Sequence, residues 1–208
     1  MTAALTQPVT LEEYLKFQVT QDTTYELHRG ELVPVPVGRS PHGKIARFLE
    51  NIFRAEIQRL GLALETYRGC AGVTIPQYGR RDTSYVPDVM VVTAEQDAYL
   101  DSLTDAILAV GMIPPLVVEV ASAGTVAIDH RYKRRDYNAI EVPEYWIVDF
   151  INDPGFSEDP KVTVCTLVEG LYEATPYRGS DPIESLLFPS LLTAEQVINY
   201  RRSEEMRL

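Results

Sequence analysis

The stretch PPLVVEVAS, residues 114–122, is the clearest sign of how this chain folds. Two prolines precede a run of apolar residues from Leu116 to Val120 that only Glu119 interrupts, and a serine and glycine segment follows it. Short apolar runs with such boundaries are typical of a buried central strand. We therefore predict a central strand that carries one carboxylate, Glu119, into apolar surroundings.

A second apolar stretch also carries an acid. Residues 85–92 are predicted as a strand, and Asp88 follows Pro87 within it. A carboxylate in an apolar strand is costly unless it is paired or bound to a metal. Two such carboxylates in one sheet suggest a shared site for Mg²⁺, which needs only one or two protein carboxylates. The alternative is that either acid faces solvent at a strand end, the ordinary position of a charged residue.

Helices and hairpins surround these two strands. The clearest helix begins at Ser40-Pro41 and ends at Gly61, with an apolar stripe at three- and four-residue steps. The other predicted elements are a helix from Thr10 to Phe17, a hairpin around Arg29-Gly30, strands at 63–67 and 72–76, a partly helical insertion at 96–111, a helix at 128–140, a strand at 145–150, a hairpin around Glu169-Gly170 and a helix at 193–201. This order predicts an α/β (α+β mixed) fold, with a central mixed β-sheet flanked by helices and N-terminal and C-terminal β-hairpins.

Length and composition limit the possible functions. The 208 residues fit a single domain, 1–208, and no stretch is long and apolar enough to span a membrane. The first ten residues lack a basic segment followed by an apolar one, so we expect no secretion signal. Two cysteines do not make a disulfide framework, which favours a reducing cytoplasm. The net charge of -11 argues against a broad nucleic-acid coat but leaves room for a local basic groove.

The helix predicted after Glu119 presents a lysine on a polar face. Asp129, Lys133 and Tyr137 are spaced at four-residue steps and therefore share that face. A lysine directed at a phosphate or a nucleophilic water could stabilise developing negative charge. The alternative is an ordinary surface pair between Asp129 and Lys133, which contributes only a few tenths of a kcal/mol.

Several motifs in this order resemble the Uma-two family (Uma2), whose members are predicted endonucleases of the PD-(D/E)XK superfamily with a restriction-endonuclease-like fold. The resemblance covers about residues 10–192. The motifs that carry it are Val86-Pro87-Asp88-Val89, Pro115 to Ser122, Asp129 with Lys133 and Tyr137, and Val142 to Asp149. The upstream segments that fit the same family are Thr10 to Leu15, Tyr25 to Leu27 with Gly30 to Val33, and Pro41-His42. Each motif is weak alone, but their order and spacing together are fairly specific.

The resemblance implies roles for individual residues. Asp88 and Glu119 correspond to the acidic residues that hold Mg²⁺ or Mn²⁺, and the carbonyl of Val120 could add a ligand. The superfamily places a lysine two residues after the glutamate, where this chain has Ala121. The family resemblance suggests that Lys133 replaces it from the next helix.

Other polar residues are weaker candidates. Glu26 could be a further acid of the site or a surface residue of its hairpin, and His42 could be a polar site residue or simply part of the first helical turn. Basic residues that could contact DNA phosphates, or equally form solvated faces, are Lys44, Arg47, Arg54, Arg80, Arg81, Arg131, Arg134 and Arg135.

Three hypotheses about function follow. The first is a metal-dependent endonuclease that hydrolyses DNA. The second is a catalytically inactive relative that binds nucleic acid or a protein partner, which Ala121 and the acidic net charge favour. The third is a homodimer formed through the apolar segment Ser185 to Leu192, which could equally pack on the chain's own core.

Overall fold

The fold is described by a computed structural model over residues 8–18, 23–35, 40–77, 82–122, 124–150 and 159–200. Within these ranges the chain forms five α-helices, one π-helical turn and eleven strands in two sheets. In chain order the elements are α1 (Leu11–Gln18), β1 (Tyr25–His28), β2 (Glu31–Pro34), α2 (Ser40–Leu60), β3 (Leu64–Tyr67), β4 (Gly72–Ile75), β5 (Thr83–Tyr85), β6 (Val89–Thr93), α3 (Ala94–Asp101), β7 (Ile107–Leu108), β8 (Leu116–Ala121), the π-turn (Ile128–Lys133), α4 (Arg134–Ala139), β9 (Glu144–Asp149), β10 (Lys161–Val168), β11 (Leu171–Tyr177) and α5 (Ala194–Ile198).

The strand predicted around Glu119 is β8, and every residue in it is buried. It lies inside a six-stranded mixed sheet with the order β11-β10-β9-β8-β6-β3. Strand β8 pairs in parallel with β9 and antiparallel with β6. The sequence prediction of a central strand is therefore confirmed, and the C-terminal hairpin forms one end of the same sheet.

A second sheet was not predicted. The strand predicted over residues 85–92 is in fact two strands, because β5 ends at Tyr85 and β6 starts at Val89. Proline has no N–H for a sheet ladder, so the pairing of a central strand stops at Pro87. Strand β5 joins the N-terminal hairpin in a five-stranded sheet with the order β2-β1-β5-β4-β7. Asp88 consequently lies at the crossing between the two sheets and not inside a strand.

Helix α2 covers one face of the six-stranded sheet. Its apolar stripe packs into a buried cluster with β6, β8 and β9. Phe53 in this stripe contacts the Trp146 ring edge-on at 5.5 Å between centroids and stacks on Phe188 at 4.9 Å. The segment 185–192 thus packs on the chain's own core through Phe188 and Leu192, while Leu186 stays 59% exposed. The homodimer expected from this segment stays a prediction.

Two helical regions differ from their predictions. The helix predicted over residues 128–140 begins as the π-turn and continues as α4, and the final helix is shorter than predicted. The insertion after β6 contains α3 and the short strand β7. The sequence patterns Thr10-x-x-Glu13 and Thr193-x-x-Gln196 predict capping interactions at the starts of two helices, and both are present. In the described part of the chain, no helix is long and apolar enough to cross a membrane.

Candidate active site

A cavity of about 110 Å³ lies where the hairpin β1–β2, the connection between β5 and β6, strand β8, the start of α2 and the π-turn meet. We call it the Lys133 cavity. Its lining contains all the site residues predicted from the sequence, which are Glu26, His42, Asp88, Glu119, Val120 and Lys133. It also contains two residues outside that predicted set, His28 and Asp129. Their catalytic roles stay predictions, but their proximity is a property of the fold.

Strand register brings Asp88 and Glu119 together. Val89 pairs with Val118 in the antiparallel ladder, so the next position places Asp88 opposite Glu119. The Asp88 carboxylate accepts a hydrogen bond of 2.7 Å from the backbone N–H of Val120. This bond ties the acid at the sheet crossing directly to the strand that carries the second acid.

Lys133 stands at the centre of the cavity. Its ammonium donates to Glu119 Oε1 at 2.8 Å and to Glu26 Oε1 at 3.1 Å, and it lies 3.9 Å from Asp129 Oδ1. It also lies 5.1 Å from the centre of the Tyr85 ring, a cation–π contact. Burial alone would lower the pKa of Lys133, but the three surrounding carboxylates raise it well above the usual value. The lysine is therefore held as a buried cation.

Glu26 reaches the cavity from the other sheet. It accepts hydrogen bonds from the Val86 N–H at 3.0 Å and from Lys133, and it contacts His28 Nε2 at 2.7 Å. Burial would raise the pKa of Glu26, but Lys133, His28 and the Val86 N–H together lower it to about 2. The structure therefore places Glu26 in the cavity and not on the surface of its hairpin.

Negative charge is in excess inside the cavity. Four carboxylates line it, from Glu26, Asp88, Glu119 and Asp129, against the single ammonium of Lys133. Burial first, and then the other carboxylates, raise the pKa of Glu119 well above its usual value despite Lys133. Burial likewise raises the pKa of Asp129. Such a site favours the arrival of a further cation.

His42 contacts the aspartate. In the first turn of α2 its Nε2 lies 3.1 Å from Asp88 Oδ2. Burial lowers the pKa of His42, but the hydrogen bond and charge of Asp88 outweigh burial and raise it. The imidazole and the Val120 N–H thus contact the same oxygen, Asp88 Oδ2, and together restrain the carboxylate.

Ala121, where the resemblance leads us to expect a lysine, lies on the same face of the sheet as Glu119 and Lys133. Ala121 and Glu119 are two residues apart on β8, so they face the same side of the sheet. Ala121 is fully buried there, in a cluster with Tyr137 and Tyr145. The segment from the π-turn through α4 packs over this face and directs Lys133 at Glu119. π-Turns often occur at functional sites because they reorient side chains within a helix.

The donor set can be compared with the needs of a divalent metal. Across the described ranges, no three His, Cys, Asp or Glu side chains are arranged as a closed metal site. Magnesium needs less, since it commonly takes one or two carboxylates and keeps several waters. Asp88 and Glu119 offer two facing carboxylates in an acidic cavity that Val120 also lines. By donor chemistry these residues fit Mg²⁺ or Mn²⁺, whose binding stays a prediction.

The hydrogen bonds that surround the Lys133 cavity were only partly predictable from the sequence. Tyr137 donates to Glu119 at 3.2 Å, and the Tyr85 hydroxyl donates to Asp136 at 2.8 Å. The four-residue spacing already placed Asp129 and Tyr137 on the lysine face, but nothing in the sequence pointed to His28 or Tyr85.

Other charged residues have partners away from the cavity. Glu144 accepts hydrogen bonds from the Trp146 indole and the Leu186 N–H, and Asp149 contacts His130 at 2.9 Å. Arg54 pairs with Glu50 on the exposed side of α2. Arg80 and Arg81 lie outside the described residues.

Comparison with known proteins gives the family and the fold. Residues 11–196 match the Uma2 family, described as "Putative restriction endonuclease". A crystal structure described as "a putative nuclease belonging to DUF820 from Anabaena variabilis ATCC 29413" matches with a TM-score of 0.67 and 16% sequence identity. The match covers 93% of this chain and 99% of that one, so the two share a fold. Among curated proteins, none matches this sequence. The family match extends over most of the chain, and the chain therefore belongs to the Uma2 family.

Proposed function

We propose that this chain is a metal-dependent endonuclease that hydrolyses phosphodiester bonds of DNA in the cytoplasm. The observation that carries the proposal is the Lys133 ammonium, held 2.8 Å from Glu119 in the cavity that Asp88 also lines. Membership of a family described as putative restriction endonucleases supports the same chemistry. The two cysteines of the sequence, both free thiols, are compatible with a reducing compartment.

Each residue has a distinct part in this proposal. Asp88 and Glu119, with the carbonyl of Val120, would hold Mg²⁺ or Mn²⁺. When bound, the ion would polarise the phosphate and supply an activated water. Lys133 uses two of its three N–H donors on Glu119 and Glu26, which leaves one for a phosphate oxygen. There it would stabilise the negative charge that develops as the phosphorus is attacked.

Glu26 and His42 act on the residues that touch the substrate. Glu26 fixes the ammonium of Lys133 from the second sheet, and His42 orients the Asp88 carboxylate. Both are therefore positioning residues. Loss of either should lower the cleavage rate less than loss of Lys133 or Asp88.

The test is cleavage of plasmid and linear DNA with Mg²⁺ or Mn²⁺, using the wild-type protein and the variants Asp88→Asn, Glu119→Gln and Lys133→Met. The matched control is Glu173→Gln, which makes the same chemical change at an exposed position on β11. We expect cleavage by the wild type and the control only. Equal cleavage by the Asp88→Asn variant, or no cleavage by any protein with either metal, would contradict the proposal.

The non-catalytic alternative also has an observation in its favour. Lys133 pairs with three carboxylates by itself, so the cluster can be a structural ion-pair network without a metal. Calorimetric titration with Mn²⁺ separates the two functions. Binding that disappears in Asp88→Asn and Glu119→Gln favours the nuclease, while the absence of such binding favours the inactive scaffold.

The homodimer is a separate proposal about assembly. Leu186 is the exposed apolar residue of the segment 185–192. Sedimentation of the wild type and of Leu186→Ser tests it, because a monomer in both cases rules out a dimer through this segment.

A further inference from the structure

A second cavity adjoins the first. It encloses about 270 Å³ and is lined by His28, Arg29, Glu31, Tyr85, Ile128 and Tyr132, and we call it the Arg29 cavity. His28 and Ile128 line the Lys133 cavity as well. The two cavities are therefore neighbours, close enough for one polymer to contact both.

Two guanidinium groups flank a tyrosine at this second cavity. The central guanidinium carbons of Arg29 and Arg135 lie 5.6 Å and 5.7 Å from the centre of the Tyr132 ring. Tyr132 itself is 48% exposed. Both cations are thus close to a ring that lines the cavity, although only Arg29 lines the cavity itself.

The two arginines differ in whether a carboxylate neutralises their positive charge. Arg135 pairs with the buried Asp136, which takes up only part of its five donors. Arg29 has no carboxylate partner among the residues that the structure describes. A planar guanidinium with free donors at a cavity wall has the geometry that binds a phosphate in a bidentate manner.

The backbone at Arg29 is also unusual. Arg29 and Gly30 form the two central residues of a hairpin turn with φ of 54° and 86°, so both adopt the left-handed conformation. Asparagine or glycine suits the first of these positions, and other side chains are strained there. The Arg29 N–H donates to Thr83 Oγ1 at 3.2 Å, which ties the turn to β5. Turn chemistry thus disfavours arginine at a position where its side chain reaches the cavity.

The negative charge around the Lys133 cavity suggests a role for Arg29 in binding the substrate. The Lys133 cavity contains four carboxylates and one ammonium, and the chain carries a net charge of -11. A phosphodiester would be repelled from such a cavity unless a nearby positive group held the strand. We infer that the Arg29 cavity is a substrate subsite, in which Arg29 binds a backbone phosphate of a DNA strand adjacent to the phosphate at Lys133, while Arg135 adds positive charge from beside the Tyr132 ring. This inference rests on the proposed nuclease function for its choice of substrate.

Binding measured without cleavage tests the subsite. A short fluorescein-labelled DNA, single-stranded or duplex, is titrated with protein in EDTA and, in parallel, in Ca²⁺, and anisotropy gives the Kd. The variant Arg29→Asn should bind about fivefold to tenfold more weakly, as for the loss of one charge-assisted contact. The slope of log Kd against log salt should fall by about one. Thermal unfolding of this variant should be unchanged or shifted upward, because asparagine suits the turn.

The matched control is Arg178→Asn, which removes one equally exposed arginine that lines neither cavity. It should bind DNA as the wild type does. Affinity of Arg29→Asn equal to that of the control, or no binding of either DNA by the wild type, would overturn the subsite. Arg29-dependent binding without cleavage supports the subsite and contradicts the nuclease function. Cleavage that depends on Asp88 but not on Arg29 does the reverse.

Discussion

Replacing Lys133 by methionine should destabilise the fold strongly, because the lysine neutralises carboxylates that are largely buried. Its side chain is 8% exposed, and those of Glu26, Glu119 and Asp129 are 10%, 5% and 3% exposed. Exposed ion pairs contribute about 0–1 kcal/mol, but removing one partner of a buried pair costs about 3–5 kcal/mol. We therefore expect the free energy of unfolding to fall by about 3 kcal/mol, which lowers Tm by about 6–12 °C in a chain of this size.

The chain offers a direct assay and a matched control. The sequence has one tryptophan, Trp146, which is buried in β9, so its fluorescence reports unfolding in urea. Lys16→Met removes the exposed Lys16–Glu12 pair and should leave the unfolding midpoint unchanged. The double variant Lys133→Met with Glu26→Gln should recover part of the loss, since it removes one of the carboxylates left without a partner. A Lys133→Met midpoint equal to that of wild type, or strictly additive effects in the double variant, would refute the reasoning.

Three further predictions concern groups outside the cavity. Cys70 is exposed and should react at once with a thiol reagent, whereas buried Cys165, whose pKa burial raises to about 11, should react only after denaturation. Burial raises the pKa of Glu144 above its ordinary value of 4.5 despite its hydrogen bonds, so the folded state binds more protons than the unfolded state. The free energy of unfolding should therefore fall as pH rises from 4.5 to the raised pKa. Glu144→Gln should flatten that slope in urea titrations at several pH values. Phe53→Ala should cost about 3–5 kcal/mol of unfolding free energy, because the ring fills the space between Trp146 and the C-terminal segment, and an unchanged urea midpoint would contradict this packing.

The parts of the fold that were predictable are those with a local cause. The apolar run around Glu119, the capping pairs and the stripe of α2 each depend on residues within a few positions of one another. Asp88 and Glu119 could be found because a carboxylate beside consecutive valines is costly and therefore informative. The four-residue spacing of Asp129, Lys133 and Tyr137 indicated Lys133 as well, and the resemblance implied that it replaces the lysine missing at Ala121.

The remaining features depend on contacts between distant parts of the chain. Glu26 and Lys133 are 107 residues apart, and no local pattern relates their positions. Pro87 is a signal in the sequence that strand pairing stops there. The prediction of one strand over residues 85–92 passes through this proline, and it therefore does not contain the second sheet. The contact of Arg29 with Tyr132 likewise joins two surface elements that only the fold brings together. Propensity and periodicity describe single elements, and pairing across the molecule is decided by packing.

The crossing at Asp88 has a consequence for how the Lys133 cavity forms during folding. Glu26 belongs to the five-stranded sheet and Glu119 to the six-stranded one, while Lys133 bonds to both. A chain that has folded only one sheet cannot complete the charge arrangement around Lys133. We therefore expect the charge arrangement around Lys133 to form only after both sheets have folded and packed together.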